Sequence, residues 1–400
     1  MITKFLGKIK MNRKPKKIAI KGYYGEKNFG DDALMLAAYE ITKKAFGSES
    51  IGFLCRGSSY IQKIIPDAKI FSQSIIFNDM IDIIIYGGGT QFFSFSRTSP
   101  NVTRSFLRRI VHNLRKPKHL CTKMVLIIKK INQFSFRATN QRVAAIGIGL
   151  GPFLENCSTI PDLKKLFTSM DYIAVREAQS FDLCNNWGCK NLSLNADLCY
   201  FPGLWKASEP NPHTDIEAHH IKRIGVITRD WPHTYEGDSY AEPLFEVVDK
   251  LRLAGKNIDF ISFAKQSDSE WSKRLETKHE TLIAWNPEND SISSFLNILS
   301  GYDAFISARY HGAVFASILG KPVVCIEVEQ KLRLVSELFS NGARLWTYPF
   351  SASECLKHIS DLESTYSQSV ESLAHVVNEQ GILTEKIVHG LRQIYMPISK

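Results

Sequence analysis

Short apolar runs alternate with longer amphipathic stretches along most of the 400-residue chain. Apolar runs of about four to eight residues bounded by turn residues predict buried strands, and apolar residues at helical spacing predict the helices between them. The predicted strands form two groups: 17–21, 51–54, 82–86, 143–148 and 172–175, then 224–228, 258–262, 304–307 and 323–327. This alternation predicts an α/β fold built on largely parallel sheets.

One stretch without periodicity separates the two groups of strands. Proline and polar residues replace the apolar pattern over 206–221, which is typical of a linker. We therefore expect an N-terminal lobe over 17–205 and a C-terminal lobe over 222–348. Residues 1–16 form a basic tail, and apolar residues at helical spacing predict C-terminal helices over 349–400.

Positive charge is concentrated in two segments, although the formal net charge of the whole chain is only +10. The stretch between Asp82 and Glu155 holds twelve Lys and Arg and no acidic residue, and residues 4–17 add seven more basic residues. Such a local excess favours an anionic partner: nucleic acid, an acidic membrane surface or a phosphorylated substrate. Within the basic segment 97–142, apolar residues at fourfold spacing predict an amphipathic helix that packs inward or enters a lipid interface. They are Val102, Phe106, Ile110 and Leu114.

Several classes of protein are excluded by what the chain lacks. No apolar run reaches the roughly 18 residues of a membrane span, and the basic N-terminus has no apolar core of a secretory signal. We expect a cytoplasmic protein that associates peripherally with the inner face of an anionic membrane through its basic segment. The eight cysteines show no CxxC pair and no zinc spacing, so no metal site is expected. No nucleic-acid recognition motif accompanies the basic segment, so no nucleic-acid partner is expected.

Glycines follow three predicted strands of the N-terminal lobe. Open α/β sheets bind ligands at the carboxyl ends of their strands, so these glycines predict the rim of a cleft. A helix is expected to begin near Asp31, capped by Asp31 or Asp32, with its amides favouring an anion. The candidate residues are Gly25, Asn28, Gly30 and Asp31 after the first strand, Gly88 and Gly89 in the triplet after 82–86, and Gly147, Gly149 and Gly151 at the end of 143–148 and directly beyond it.

The C-terminal lobe carries the residues with the most direct chemistry. Arg229 follows one predicted strand, and Arg309 and His311 lie at the corner between another strand and an Ala-rich helix. A guanidinium binds carboxylate or phosphate through two parallel hydrogen bonds. An imidazole transfers protons near neutral pH. The two residue types together predict an anion-binding catalytic site.

Several motifs, in this order along the chain, resemble those of the polysaccharide pyruvyl transferases. The resemblance covers about residues 17–340, and the basic segment 97–142 lies outside its motifs. The motifs read GYYGEKNFGDDALM, GGGTQF as a turn, IGIGLGP, AVREAQSFDLCNNWG, NADLCYF, GVITRDW, and SARYHGAVFASILGKPVV followed by Lys331.

This resemblance implies two Rossmann-like lobes arranged as in GT-B glycosyltransferases, with the C-terminal helix packed back across the first lobe. It also implies transfer of the enolpyruvyl group of phosphoenolpyruvate to a sugar diol of a cell-surface polysaccharide or its precursor, forming a pyruvate ketal. Arg229, Arg309 and Lys331 would bind this donor, and His311 would be the general acid and base. The glycine loops of the first lobe would face the acceptor, a glycan or a lipid-linked sugar, and no cofactor is implied.

A nucleotide-sugar-dependent glycosyltransferase of GT-B-like shape is the alternative. In that case Arg309, with Glu327 or Glu329, would hold the nucleotide. A shared shape does not determine the reaction, so the two functions must be separated by their donors.

Overall fold

The computed structural model describes residues 16–47, 50–55, 60–71, 81–93, 141–153, 159–205, 221–233, 237 and 239–395. Two parallel sheets with flanking helices form two lobes, which confirms the predicted α/β fold. The predicted tail and most of the predicted linker and basic segment lie outside the described residues. Membrane association through the basic segment therefore stays a prediction.

The first sheet has seven parallel strands in the order β3-β2-β1-β4-β5-β6-β7, and the second has six in the order β10-β9-β8-β11-β12-β13. The first contains β1 Lys17–Lys21, β2 Ser50–Leu54, β3 Lys69–Ile70, β4 Ile83–Phe92, β5 Arg142–Leu150, β6 Tyr172–Val175 and β7 Leu192–Leu194. The second contains β8 Arg223–Ile227, β9 Asn257–Ser262, β10 Leu282–Ala284, β11 Ala304–Ser307, β12 Val323–Ile326 and β13 Ala343–Trp346.

Helices cover both sheets and continue beyond the second. In the first lobe they are α1 Phe29–Phe46, α2 Ile61–Ile64, α3 Ile160–Thr168 and α4 Ala178–Asn186. In the second they are α5 Ala241–Leu253, α6 Ser269–Thr277, α7 Ile292–Ser300, α8 Tyr310–Ile318 and α9 Gln330–Phe339, followed by α10 Ala352–Ser364 and α11 Tyr366–Tyr395. Because helices cover both faces, the central strands are continuous apolar runs.

The strand order places a crevice in each lobe. The chain moves outward from β1 in one direction through β2 and in the other through β4, and it does the same around β8 through β9 and β11. Ligands bind at such switch points, beyond the carboxyl ends of the strands. The segments after β1, β8 and β11, together with the end of β4, therefore build the site.

The sequence pattern missed the strands at all four sheet edges. These strands, β3, β7, β10 and β13, have two to four residues each, and most of their residues keep some exposure. A strand this short, paired on one side only, carries too few apolar positions to show a period.

The predicted turn at the glycine triplet was wrong. Strand β4 continues through Gly87, Gly88 and Gly89 to Phe92, paired with β5 and with a register shift near its end. Gly88 and Gly89 have φ angles of 67° and 77°. Glycine adopts this left-handed backbone without steric cost, so the strand can be irregular and still remain paired.

The predicted cap of the first helix was also wrong, although the helix begins near Asp31 as expected. Helix α1 begins at Phe29, and the side chain of Asn28 accepts a hydrogen bond of 3.1 Å from the amide of Gly30. Asp31 and Asp32 lie in the first turn, where their charge faces the positive end of the helix dipole.

The C-terminal helix α11 is continuous through Gly381. A Cβ at Gly381 would lie 3.2 Å from Cγ of Pro202, so glycine allows close packing there. The helix packs back across the first lobe, as the resemblance implied: Glu385 pairs with Lys44 at 3.0 Å, and Gly390 lies against the ring of Tyr172. Among the described helices, none is both long enough and apolar enough to cross a membrane.

Phe29 joins the two lobes. Its side chain is completely buried, and its amide donates a hydrogen bond of 2.9 Å to the carbonyl of Phe263 in the second lobe. Its ring packs against four aromatic rings of the second lobe, with centroid distances from 4.7 to 5.2 Å. They belong to Phe263, Trp285, Phe295 and Phe315. The start of α1 is thus anchored in the opposite lobe.

Asp32 adds a buried polar contact to the same interface. Its carboxylate oxygens accept hydrogen bonds of 2.8 Å from Nε1 of Trp285 and from the hydroxyl of Tyr60. Burial raises the pKa of Asp32 to about 7, although both hydrogen bonds favour the charged form. Below about pH 7, Asp32 therefore holds a proton that an exposed aspartate would release.

We expect the interface to make stability depend on pH through Asp32. An unfolded aspartate has a pKa of about 3.9, so between about pH 4 and 7 the folded chain binds a proton that the unfolded chain does not. The free energy of unfolding therefore falls as pH rises through this window, by up to about 4 kcal/mol, and levels off above it. Urea unfolding of Asp32→Asn should lack this contribution, so its stability relative to wild type should rise from pH 5 to pH 8.

The exposed Asp67 provides the control for this prediction, since its side chain is 82% accessible. Asp67→Asn should show no such trend relative to wild type. A stability difference between Asp32→Asn and wild type that stays constant from pH 5 to pH 8 would contradict the assignment.

Candidate active site

A cavity of about 540 Å³ lies between the lobes at the carboxyl ends of the strands. It is lined by nine of the candidate residues predicted from the sequence: Asn28, Asp31, Gly88, Gly89, Gly151, Arg229, Arg309, His311 and Lys331. The candidates Gly25, Gly30, Gly147 and Gly149 do not line it. Gly25 has a φ of 89° in the loop before α1, and Gly30 lies behind His311. The sequence-predicted residues from the two lobes thus meet around one space.

Two of the cations share one carboxylate. Arg229 is paired with Oε1 of Glu329, and Nζ of Lys331 lies 3.0 Å from the same oxygen. Burial would raise the pKa of Glu329, but Lys331 and Arg229 hold it below its usual value. The guanidinium of Arg229 also lies 4.3 Å from the ring centroid of Trp231. One negative charge therefore orders two positive ones, which leaves a net positive charge for an anion.

Arg309 is held by a different carboxylate. Its guanidinium pairs with Asp268, and both side chains are almost fully buried. The strand–helix corner predicted from the sequence is present: Arg309 precedes α8, and the hydroxyl of Ser307 contacts its amide and carbonyl. Nε of Arg309 has no hydrogen-bond partner among the described residues. The positive end of the α8 dipole adds to the positive potential at this corner.

His311 faces a carboxylate of the other lobe. Its Nε2 lies 3.6 Å from Oδ2 of Asp197, whose side chain is 1% exposed. The same oxygen accepts a hydrogen bond of 2.8 Å from Arg176, and Oδ1 accepts one of 3.0 Å from the amide of Cys199. Burial would raise the pKa of Asp197, but His311 and Arg176 hold it well below its usual range. Asp197 is therefore a permanent anion beside the histidine.

The first turn of α1 approaches the other ring nitrogen of His311. A Cβ at Gly30 would lie only 2.4 Å from Nδ1, so no side chain fits at this position. Asn28 donates a hydrogen bond of 2.7 Å to Asp31. Burial raises the pKa of Asp31, although His311 and Lys331 oppose the shift. The first turn of α1 thus adds a carboxyl group to the cavity near the histidine.

Sequence reasoning assigned no role to three charged residues of the site. These are Arg176, Asp197 and Asp268, and the first two belong to the AVREAQS and NADLCYF motifs. Arg176 donates a hydrogen bond of 3.0 Å to Thr90, and its guanidinium lies 4.4 Å from the ring centroid of Tyr310. Arg176 and Asp268 follow β6 and β9, which the sequence pattern predicted, and this position was the signal that could have identified them. Asp197 follows the short edge strand β7, which the pattern missed.

Three of these groups lie close enough together to suggest a metal site. One ligand atom each of Asp197, Cys199 and His311 lies within 4.8 Å of the other two. The donor set fits a cation poorly because Oδ2 of Asp197 already binds Arg176. Burial also raises the pKa of the Cys199 thiol well above its usual value, which disfavours the thiolate that a metal requires. The expectation of no metal or cofactor stays a prediction.

The comparisons with known proteins identify both a family and a fold. The family model for polysaccharide pyruvyl transferase matches residues 28–330. No curated protein matches the chain. Among solved structures, S. aureus MnaA with UDP has a TM-score of 0.55 at 10% identity, covering 97% of this chain and 98% of that one. UDP-GlcNAc 2-epimerase from Neisseria meningitidis, bound to UDP-GlcNAc, has a TM-score of 0.54 at 11% identity, covering 94% and 100%.

A glycosyltransferase from Rickettsia africae also matches, with a TM-score of 0.50 at 12% identity over 95% of this chain and 99% of that one. At such identities the likeness shows the fold alone, and it confirms the expected GT-B-like arrangement of two lobes. The family match is different in kind, because it extends over residues 28–330 and thus over well more than half of the chain. This chain belongs to the polysaccharide pyruvyl transferase family.

Proposed function

We propose that this enzyme transfers the enolpyruvyl group of phosphoenolpyruvate to two hydroxyls of one sugar, in a cell-surface polysaccharide or its precursor, and forms a pyruvate ketal. One observation carries the proposal: Arg229, Arg309 and Lys331 line the same cavity as His311. The membership of the chain in the polysaccharide pyruvyl transferase family supports the same reaction.

The charges of the cavity suit this donor. Phosphoenolpyruvate carries a carboxylate and a phosphate, and guanidinium groups bind both in a forked geometry. Arg229 and Lys331 share Glu329, so their group keeps a net positive charge when the donor is absent. These cations are already ordered by their carboxylates, so little reorganisation is needed as charge develops on the departing phosphate.

The reaction requires balanced proton transfers. One sugar hydroxyl forms a C–O bond to C2 of the donor and loses its proton, while the C3 methylene gains a proton and becomes a methyl group. The C2–O bond to phosphate then breaks, and the second hydroxyl attacks C2 and releases its proton. The net products are the ketal and inorganic phosphate. His311 lines the cavity and can both accept and deliver these protons.

The wall formed by the first lobe suits the acceptor. Gly88 and Gly89 present no side chain, so a sugar ring can approach the backbone of β4 closely. Asn28 and Asp31 supply polar groups on the same wall. The carboxyl group of Asp31 is a second acid–base group near the reacting hydroxyls, and burial raises its pKa.

The direct test supplies the purified enzyme with phosphoenolpyruvate and a panel of sugar acceptors, including lipid-linked ones. We expect phosphate release together with a product heavier by one pyruvate less one water. Thermal-shift titration separates the alternative function, since phosphoenolpyruvate should stabilise the protein and a nucleoside diphosphate should not. Sugar transfer from a nucleotide sugar, without reaction of phosphoenolpyruvate, would instead establish the glycosyltransferase.

We expect His311 and the arginines to affect different constants. His311→Ala should lower kcat by about 10²–10⁴-fold and leave the Kd of the donor nearly unchanged, because a general acid and base acts in the transition state. Arg229→Ala should weaken donor binding by about 1.5–3 kcal/mol, and Arg229→Lys should restore part of the loss. Steady-state kinetics and donor titration measure both effects. Near-normal turnover in His311→Ala would refute its assignment.

Gly30 should control turnover through the position of His311. Gly30→Ala places a methyl group 2.4 Å from the present position of Nδ1, so the imidazole must move. A displacement of about 1 Å can cost about 10²-fold in rate, and we expect a loss of kcat of that order. Gly301→Ala is the matched control, since its added Cβ would lie 3.3 Å from the flexible end of Arg223. Full activity in Gly30→Ala would show that the packing against His311 is not needed.

A further inference from the structure

We propose that Asp197 fixes the tautomer of His311. The hydrogen of the neutral imidazole then lies on Nε2, directed at Asp197, and Nδ1 is the nitrogen that exchanges protons with the substrates. The role given to Nδ1 rests on the proposed function, whereas the tautomer itself does not depend on it.

Nε2 of His311 is enclosed and lies near Asp197. This nitrogen is fully buried and has no hydrogen-bond partner among the described residues. The oxygen Oδ2 of Asp197 lies 3.6 Å away. This distance exceeds that of a hydrogen bond, but such contacts are often long in unliganded enzymes and shorten when the substrates bind. A neutral imidazole has one donor and one acceptor nitrogen, and only the donor is stabilised by a carboxylate.

Asp197 is fixed both in position and in charge. Asp197 caps the 3₁₀ turn Leu198–Tyr200, and its Oδ1 accepts the amide hydrogen of Cys199. Its other oxygen accepts the hydrogen bond from Arg176, which in turn is held by Thr90. The carboxylate can neither rotate away nor serve as a donor while these bonds remain. It therefore presents an acceptor, and nothing else, to the imidazole.

Nδ1 of His311 differs from Nε2 in its surroundings. The side chain of His311 keeps 14% of its surface exposed. Of its two ring nitrogens, only Nε2 is both buried and without a hydrogen-bond partner among the described residues. A Cβ at Gly30 would lie only 2.4 Å from Nδ1, so only glycine at that position leaves this nitrogen uncovered. An unprotonated Nδ1 can then accept a proton from a hydroxyl in the cavity.

The arrangement also makes proton transfer depend on the docking of the lobes. Asp197 precedes the linker and belongs to the first lobe, whereas His311 opens helix α8 of the second. In the Ser-His-Asp triad a buried aspartate likewise holds a catalytic histidine in one tautomer. In that triad the aspartate accepts a hydrogen bond from Nδ1, and Nε2 exchanges protons.

Nitrogen-15 NMR of histidine-labelled protein reads the tautomer directly, without any substrate. His311→Asn removes one set of signals and so assigns His311. In wild type, at a pH where His311 is neutral, we expect a protonated Nε2 and an unprotonated Nδ1. A protonated Nδ1 would overturn the proposal. Because wild-type protein is observed, this result does not depend on whether any Asp197 variant folds.

Asp197→Asn tests the consequence for catalysis. The variant keeps an oxygen for the amide of Cys199 but replaces the fixed negative charge, so His311 can adopt either tautomer. We expect kcat to fall by about 10²-fold or more while the donor Kd changes little, and the NMR signals to show a mixture of tautomers. Asp182→Asn, on the exposed face of α4, is the control and should match wild type in both readouts. Unchanged kcat and an unchanged tautomer in Asp197→Asn would overturn the proposal.

The two experiments also separate this proposal from the function on which it rests. A protonated Nε2 in a wild-type enzyme that does not consume phosphoenolpyruvate would refute the proposed reaction and keep the tautomer. Pyruvyl transfer by an enzyme with a protonated Nδ1 would support the proposed reaction and refute the tautomer.

Discussion

The burial of Phe29 in the second lobe is the contact on which the site depends. Complete burial of a phenylalanine contributes about 1.5–3 kcal/mol, and its truncation in a packed core typically costs about 3–5 kcal/mol. The residues next to Phe29 in the chain form part of the site: Asn28 caps α1, Gly30 lies against His311 and Asp31 lines the cavity. One apolar contact between the lobes therefore sets the distance between the first turn of α1 and the histidine.

Electrostatics imposes the second constraint. Buried charges are tolerated only when they are paired, and the cations of the cavity follow this rule. Asp197 pairs with Arg176, Asp268 with Arg309, and Glu329 with both Arg229 and Lys331. These carboxylates hold the cations in place before a substrate arrives. Because Glu329 serves two cations, an anion still finds positive charge in the cavity.

The sequence predicted the centre of each sheet and the residues directly after central strands. Arg229, Arg309 and His311 could be found because each follows an apolar run that is easy to recognise. Asp197 could not, since the strand before it, β7, has three residues and lies at the sheet edge. The irregular path of β4 was equally hidden, because glycines after an apolar run are also typical of a turn. Pairing between distant segments, such as Asp197 with His311, depends on how the lobes dock and leaves no local pattern.

The proposed reaction and the proposed tautomer of His311 are tested most directly by a crystal structure of the enzyme with phosphoenolpyruvate bound. We expect the carboxylate and phosphate to contact Arg229, Arg309 and Lys331, with Nδ1 of His311 turned toward C2 and C3 of the donor and Nε2 turned toward Asp197. Phosphoenolpyruvate bound outside this cavity, or Nε2 of His311 facing the donor in place of Nδ1, would contradict both proposals.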